Sequence, residues 1–199
     1  MRSPPASVDP VTFQPVEFMF LRVIWDAHHI KFPLRIAGAN IKELHIAPEP
    51  AHPFGRKGLA LASAWKQLAT DAMAGMLLLD GDVMIDPHDY MMMLGAIHTE
   101  PAAVHIGPSR LWPASKNDLQ GWAWGHAKLG VFSQELEMEP DFFAFNFTYL
   151  PRRVVELAIG KGLKTWQFPD VDRSVSRVAR EAKIPMRVVK DCFPKHAHY

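Results

Sequence analysis

Three observations predict an α/β fold, with one domain built on a mostly parallel sheet flanked by helices. The chain has 199 residues, which is enough for a single domain with a sizeable core. Short β-prone runs alternate with helical patterns, an order typical of parallel sheets. An apolar run at 76–79, bounded by polar residues, indicates a strand buried on both faces.

The elements are predicted as follows, in chain order. Residues 1–15 hold four prolines and are expected to form a flexible N-terminal arm, which leaves 16–199 as the domain. Strands are predicted over 16–25, 41–47, 76–79, 103–106, 142–149, 164–168 and 184–189. Helices are predicted from Gly58 to Ala72, from Asp86 to about Thr99, from Pro151 to Gly160 or Gly162, and after Asp170.

Charge and cysteine usage limit the classes of protein. Residues 1–150 carry 11 Lys and Arg against 16 Asp and Glu, whereas residues 151–199 carry 11 against 5. The basic segment 151–199 either faces a phosphate-bearing partner or is simply solvated. The single cysteine, Cys192, excludes an internal disulfide, and no apolar stretch approaches the roughly 20 residues of a membrane span. We therefore expect a cytoplasmic protein without a signal peptide.

The strand at 76–79 runs into two carboxylates separated by a glycine, Asp80-Gly81-Asp82. Acidic side chains are unstable in a buried strand, so these should lie at its carboxyl edge, where open α/β sheets bind ligands. Carboxylates at i and i+2 can meet one divalent cation directly or through water. Gly81 would let a diphosphate approach the backbone. The sequence therefore predicts a metal–diphosphate site.

Two further stretches carry candidate binding residues. The turn Gly55-Arg56-Lys57-Gly58 precedes a helix, and cations with free helix amides favour an anion, although a solvated turn is the alternative. A Pro- and Gly-studded stretch holds Trp112, Trp122 and Trp124. These aromatics either stack on a sugar or base, which would make them acceptor-binding, or pack beneath a loop.

The order of these features resembles GT-A-fold nucleotide-sugar glycosyltransferases, and most closely the large inverting family with a Glu-Asp motif before its late helix. The resemblance covers roughly residues 16 to 198 and implies a Rossmann-like, GT-A-like domain that uses Mn²⁺ or Mg²⁺. It rests on the Gly/Lys turn at 55–58, the Asp-x-Asp strand end, the tryptophan region, the Pro-Asp-x-Asp helix start at 169–172 and the late histidines.

The resemblance also implies roles by position. Asp82 matches the direct metal ligand, and Asp80 matches the partner of the ribose or of a metal-bound water. A late histidine, His196 or His198, would complete the metal coordination. The implied nucleotide-sugar site further includes Gly81, Arg56, Lys57 and Gly58, with Asp26 and Glu49 near the base and ribose.

Asp170 matches the catalytic base, which would take the proton of the acceptor hydroxyl. Asp172 is assigned to acceptor binding. Two departures bear on this match: Pro169 stands where the family has glutamate, and Arg177 lies one residue from the expected arginine. The alternative for both acids is N-capping of the following helix.

The implied function is metal-dependent transfer of a sugar from a nucleotide-diphosphate sugar, UDP-sugar being favoured, to an acceptor hydroxyl. The short chain and its basic tail half resemble phage glycosyltransferases that decorate hydroxymethylated bases in DNA, which implies a DNA acceptor and a phage-infected bacterial host. A protein or lipid-linked acceptor stays open.

Two other classes remain as alternatives. A haloacid-dehalogenase-like, Mg²⁺-dependent phosphatase would use Asp80 as nucleophile and Asp82 as acid/base. A non-catalytic sugar- or nucleic-acid-binding module would use the three tryptophans instead.

Overall fold

A computed structural model describes residues 15–26, 34, 36–52, 55–112, 126–128, 131–132, 142–166 and 170–197. The strands are β1 (Met19–Trp25), β2 (Ile41–Ile46), β3 (Gly75–Asp80), β4 (Val83–Met84), β5 (Val104–Ile106), β6 (Arg110–Trp112), β7 (His126–Lys128), β8 (Val131–Phe132), β9 (Phe142–Phe143), β10 (Phe147–Pro151), β11 (Met186–Val188) and β12 (Lys195–Ala197). The helices are α1 (Lys57–Leu68), α2 (Pro87–Thr99), α3 (Arg152–Gly160) and α4 (Asp170–Glu181).

The main sheet has six strands among the described residues, in the order β11-β5-β10-β3-β1-β2. β1 pairs in parallel with β2 and β3, and β11 pairs in parallel with β5. Only β10 runs antiparallel to its neighbours, β3 and β5. The carboxyl ends of the five co-directional strands therefore meet at one edge. The predicted α/β fold, with its mostly parallel sheet flanked by helices, is confirmed.

Strand β3 lies at the centre of this sheet, and every one of its residues is buried. Met76 and Leu78 face a core that α1, α3 and α4 cover, whereas Leu77 and Leu79 face a second core that α2 covers. A strand that is buried on both faces needs apolar side chains on both of them, so its sequence does not alternate between apolar and polar residues. The result is a three-layer domain with Asp80 at the end of the central strand.

Helix α2 begins where the sequence predicts. The Asp86 side chain accepts from the Asp89 backbone N–H, the Asp89 side chain accepts from the Asp86 N–H, and Pro87 fills the first helical position. This reciprocal capping satisfies two amides that the helix itself leaves open. It sets α2 directly behind the Asp80-Gly81-Asp82 turn.

A second, three-stranded sheet in the order β4-β12-β6 brings the carboxyl-terminal segment back to this turn. Strand β12 pairs antiparallel with β4, which places His196 opposite Val83, and parallel with β6. Neither β4 nor β12 is predicted from sequence, because each is too short to show a periodic pattern. A third sheet, β8-β7-β9, completes the described strands.

Three predicted elements are wrong in detail. Over the described part of the strand predicted at 164–168, the chain instead forms a 3-10 turn, Leu163–Thr165, because Gly162 adopts a left-handed conformation and its carbonyl accepts from Thr165. The run at 142–149 divides into β9 and β10. Helix α1 ends at Leu68, before Ala72. The arm is an untested prediction, since residues 1–14 lie outside the described part.

Within the described ranges, no helix has both the length and the apolar character needed to cross a membrane.

Candidate functional site

The candidate site lies at the carboxyl edge of the main sheet, on the turn Asp80-Gly81-Asp82. The Gly81 N–H donates to the carbonyl of Val23 at 2.7 Å, and the Gly81 carbonyl accepts from the Arg22 guanidinium at 3.0 Å. A Cβ at Gly81 would lie 3.2 Å from the Val23 oxygen. The turn is thus held tightly against β1, and its two carboxylates flank it.

Asp80 belongs to a group that we call the inner cluster: Lys57, Asp80 and Asp172. The Lys57 ammonium donates to both carboxylate oxygens of Asp80, at 3.2 and 3.4 Å. It also lies 3.8 Å from Asp172 Oδ1. The three residues come from the first turn of α1, the end of β3 and the first turn of α4. One cation therefore joins two acids from distant parts of the chain.

The Lys57 side chain is only 2% exposed, and its ammonium lies 5.1 Å from the ring centroid of Trp25 and 5.0 Å from that of Phe145. Both distances allow cation–π attraction. Burial by itself lowers the pKa of Lys57, but the carboxylates around it, Asp172 first and then Asp80, outweigh burial and raise that pKa. Lys57 is therefore a charged side chain held inside the fold.

Both acids of the inner cluster have raised pKa values, so their charged forms are disfavoured. Burial, with help from the neighbouring carboxylates, raises the pKa of Asp80 to about 7 although Lys57 opposes the shift. Burial also raises the pKa of Asp172, against the effects of Lys57 and of a hydrogen bond from the Phe145 N–H to Oδ2 at 3.1 Å. Asp172 Oδ1 is buried and accepts no hydrogen bond. The cluster thus concentrates negative charge around one cation.

Asp82 has a different partner, and we call Asp82 and His196 the outer pair. His196 Nε2 lies 3.6 Å from Asp82 Oδ2, and both side chains remain partly exposed. Their approach follows from the pairing of β12 with β4, since Val83 directly follows Asp82. Two of the predicted metal ligands are therefore adjacent. In the described part of the chain, no three His, Cys, Asp or Glu side chains form a ready-made metal site.

The other predicted nucleotide-binding residues lie at neighbouring strand ends or on α1. Asp26 follows β1 and contacts His45 at 3.1 Å, and Arg56 pairs with Glu49 at 2.9 Å. These two contacts are exposed to solvent. Gly58 packs against the 3-10 turn, where an added Cβ would lie 2.1 Å from the carbonyl oxygen of Leu163.

Several predicted site residues have no described side chain. Asp170 is the first residue of α4, and Trp112 is the last residue of β6; only their backbones are described. Trp122, Trp124 and His198 lie outside the described residues. Their assigned roles remain predictions.

Sequence reasoning missed the link between Lys57 and Asp172. A pattern that could have revealed it is the helical period of α1, in which Lys57 shares a face with Leu61 and Trp65. All three are buried, whereas Arg56 just before them is exposed. A lysine on the apolar face of a helix indicates a buried anionic partner.

Comparison with known proteins gives a likeness of fold. No protein-family model matches the chain, and no curated protein matches it. Among solved structures, it is similar to the inositol-1-phosphate CTP transferase from T. maritima, with 10% identity, TM-score 0.50 and coverage of 92% of this chain and 90% of that one.

Two other similar structures fit less well. A197 from STIV has 14% identity, TM-score 0.47 and coverage of 90% and 82% of the two chains. The UTP-bound UGPase from Acinetobacter baumannii has 12% identity, TM-score 0.44 and coverage of 81% and 53%. Identities this low establish only a shared α/β architecture. The chain thus has a fold also found in a nucleotide-using transferase.

Proposed function

We propose that the protein is a metal-dependent glycosyltransferase that moves a sugar from a nucleotide-diphosphate sugar to an acceptor hydroxyl. UDP-sugar is the favoured donor. The observation that carries this proposal is the turn at the carboxyl edge of the sheet, where Asp82 meets His196 beside the buried Asp80. The fold likeness to a CTP-using transferase agrees with nucleotide binding at this edge.

The outer pair fits a divalent cation. Two atoms that are each about 2.1 Å from one ion lie roughly 3 to 4 Å apart, and the Asp82–His196 separation of 3.6 Å falls in that range. A carboxylate oxygen and an imidazole nitrogen suit Mn²⁺, and Mg²⁺ is the alternative. Asp82 and His196 would hold the ion, with Asp80 and His198 as further candidates. The ion would stabilise the negative charge of a departing diphosphate.

The chain's own residues would do the remaining work. Asp170 is proposed to accept the proton of the acceptor hydroxyl as it attacks the anomeric carbon. Asp26, Glu49, Arg56, Gly58 and Gly81 are proposed to line the donor site, and Asp172 with the three tryptophans the acceptor site. Arg56 is exposed and would have to exchange Glu49 for the donor.

DNA carrying hydroxymethylated bases is the proposed acceptor, and the surface of α4 supports it. Arg173, Arg177 and Arg180 are exposed and recur at i, i+4 and i+7, so they share one face of the helix. That face begins one residue after Asp172. Arginine at such spacing suits phosphate groups. Fluorescence anisotropy measures the affinity for labelled DNA at rising salt concentrations. The salt dependence of this affinity should fall when all three arginines are replaced by Gln. It should persist in the control Lys42→Gln/Lys66→Gln, which removes two exposed lysines outside α4.

A product assay tests the reaction class. UDP-sugars with DNA carrying hydroxymethylated bases, nucleoside triphosphates with sugar phosphates, and a phosphatase substrate are each offered with Mn²⁺. Release of UDP supports a glycosyltransferase. Release of pyrophosphate would indicate a nucleotidyltransferase, the second candidate because of the fold likeness. Release of inorganic phosphate would indicate the phosphatase. Binding without turnover and without metal dependence would favour the non-catalytic module.

Donor binding provides the matching equilibrium measurement. A thermal-shift panel of UDP, CDP and GDP, each with and without Mn²⁺, should show stabilisation only when nucleotide and metal are both present. The variant Asp82→Asn is the control that should abolish this metal-dependent shift.

A further inference from the structure

Lys57 is the most deeply buried charged side chain among the groups at the site. Its ammonium has three N–H donors and is surrounded by the two oxygens of Asp80, by Asp172 and by the rings of Trp25 and Phe145. A phosphate could reach it only by displacing a carboxylate. The position of Lys57 therefore does not suit contact with a nucleotide, although the glycosyltransferase resemblance implies such contact.

The connections of Lys57 suit a different role. Asp80 ends β3 beside Asp82, whereas Asp172 lies on α4 two residues after Asp170. Without a cation between them, two buried carboxylates would repel each other and separate. The ammonium therefore holds the donor-side turn close to the first turn of α4, which hydrogen bonds from Phe145 to Asp172 and between Phe143 and Ser176 also anchor.

We propose that Lys57 is a positioning residue, an internal counter-ion that holds Asp80 and Asp172 together and does not bind the nucleotide. This inference rests on the proposed function in taking the turn as the donor side and α4 as the catalytic side. It assigns to the fold a permanent cation at Asp80.

The two possible roles of Lys57 predict different changes in UDP affinity in the variant Lys57→Met. A nucleotide-binding lysine, once removed, would weaken UDP binding about tenfold or more. An internal counter-ion, once removed, leaves more negative charge at the turn, so binding of Mn²⁺ alone should be unchanged or tighter. UDP affinity with Mn²⁺ should then change less than about threefold, while turnover falls about tenfold or more because the two acids separate.

The experiment compares Lys57→Met with Arg56→Met, which removes the neighbouring exposed cation. Mn²⁺ alone and UDP with Mn²⁺ are titrated by calorimetry, and kcat and KM are measured with the UDP-sugar. We expect Arg56→Met to raise the UDP dissociation constant and Lys57→Met to lower kcat with little change in KM. A loss of UDP affinity in Lys57→Met as large as in Arg56→Met would overturn the proposal.

A stability cycle covers the case in which Lys57→Met folds poorly. Urea midpoints are measured for the unaltered protein, Lys57→Met, Asp172→Asn and the double variant. Because the double variant removes one cation and one anion, its midpoint should exceed that of Lys57→Met. A midpoint equal to or below that of Lys57→Met would overturn the counter-ion role.

The cycle needs no ligand, so it separates the two proposals. If the unaltered protein binds neither Mn²⁺ nor UDP, the proposed function fails and Lys57 has no nucleotide site to organise. A positive cycle in that case would still establish the pairing of Lys57 with Asp172.

Discussion

The inner cluster and the outer pair differ although their acids, Asp80 and Asp82, are only two residues apart. Asp80 is held by a lysine that is 2% exposed, whereas Asp82 faces a histidine that is 19% exposed. The lysine comes from α1, in the main layer of helices, and the histidine comes from the small sheet formed by the carboxyl-terminal strand. One acid therefore has a built-in cation, and the other has a partly exposed imidazole as its neighbour.

The difference indicates that the two acids of an Asp-x-Asp turn need not share one partner. Burying a charge without a counter-ion is unfavourable, so the Asp80 carboxylate depends on Lys57. The Asp80 and Asp82 side chains are themselves similarly exposed, at 12% and 16%, so the difference lies in their partners. Three predictions test whether the two acids differ in this way.

The largest expected effect concerns metal-dependent nucleotide binding, tested with a pair of matched variants. Asp82→Asn should weaken binding of UDP with Mn²⁺ by about 100-fold, because it removes a carboxylate proposed as direct ligand. Asp80→Asn should weaken it by about tenfold or less. Isothermal titration on both variants checks this, and equal losses would show that the two acids act as one unit.

A second prediction concerns Asp89, which joins the start of α2 to the segment that leads to His196. Its Oδ1 accepts from the Phe193 N–H at 2.7 Å, three residues before His196, and its Oδ2 accepts from the Asp86 N–H at 3.1 Å. Asp89→Ala should reduce the free energy of unfolding by about 2 kcal/mol, since it removes a cap and leaves the Phe193 amide without its acceptor.

The control for this second prediction is Asp86→Ala, which removes the other half of the same capping box, the bond from the Asp89 N–H, and keeps the Asp89 carboxylate that accepts from the Phe193 N–H. Urea unfolding should show a loss in both variants. Binding of Mn²⁺ should weaken only in Asp89→Ala, because only there is the anchor of β12 lost. A parallel loss in Asp86→Ala would mean that α2, not the anchor, supports the outer pair.

The third prediction concerns the pH dependence of the stability that Asp80 contributes. Burial raises the pKa of Asp80 in the folded protein to about 7 from an ordinary value of 3.8, so between these values the folded state keeps a proton that the unfolded chain has lost. Raising pH through this window removes that proton. The stability contributed by Asp80 should therefore fall as pH rises from about 4 to 7.

The measurement is the difference in unfolding free energy between the unaltered protein and Asp80→Asn across that range. As pH rises to about 7, the unaltered protein should lose stability relative to Asp80→Asn. Above pH 7 the difference in unfolding free energy should stay constant. A difference that is flat, or that moves the other way, would mean that Lys57 compensates Asp80 fully.

Local patterns were sufficient for much of the fold. The unbroken apolar run of β3 predicted a strand buried on both faces, and Asp86 with Pro87 predicted the start of α2. The alternation of strands and helices predicted the mostly parallel sheet. These features depend on residues close together in sequence, so periodicity and capping rules could detect them. The 3-10 turn escaped because Gly162 and Thr165 stabilise it by hydrogen bonds that no periodic pattern reflects.

By itself, the sequence determined the α/β class and the placement of Asp80, Gly81 and Asp82 at the end of a buried strand. Only the tertiary structure decided which side chain each acid meets: Lys57 for Asp80, and His196 for Asp82. The reason is physical. Strand position follows from local hydrophobic pattern, whereas the partner of a buried charge is set by helices and strands that come from elsewhere in the chain and pack against it.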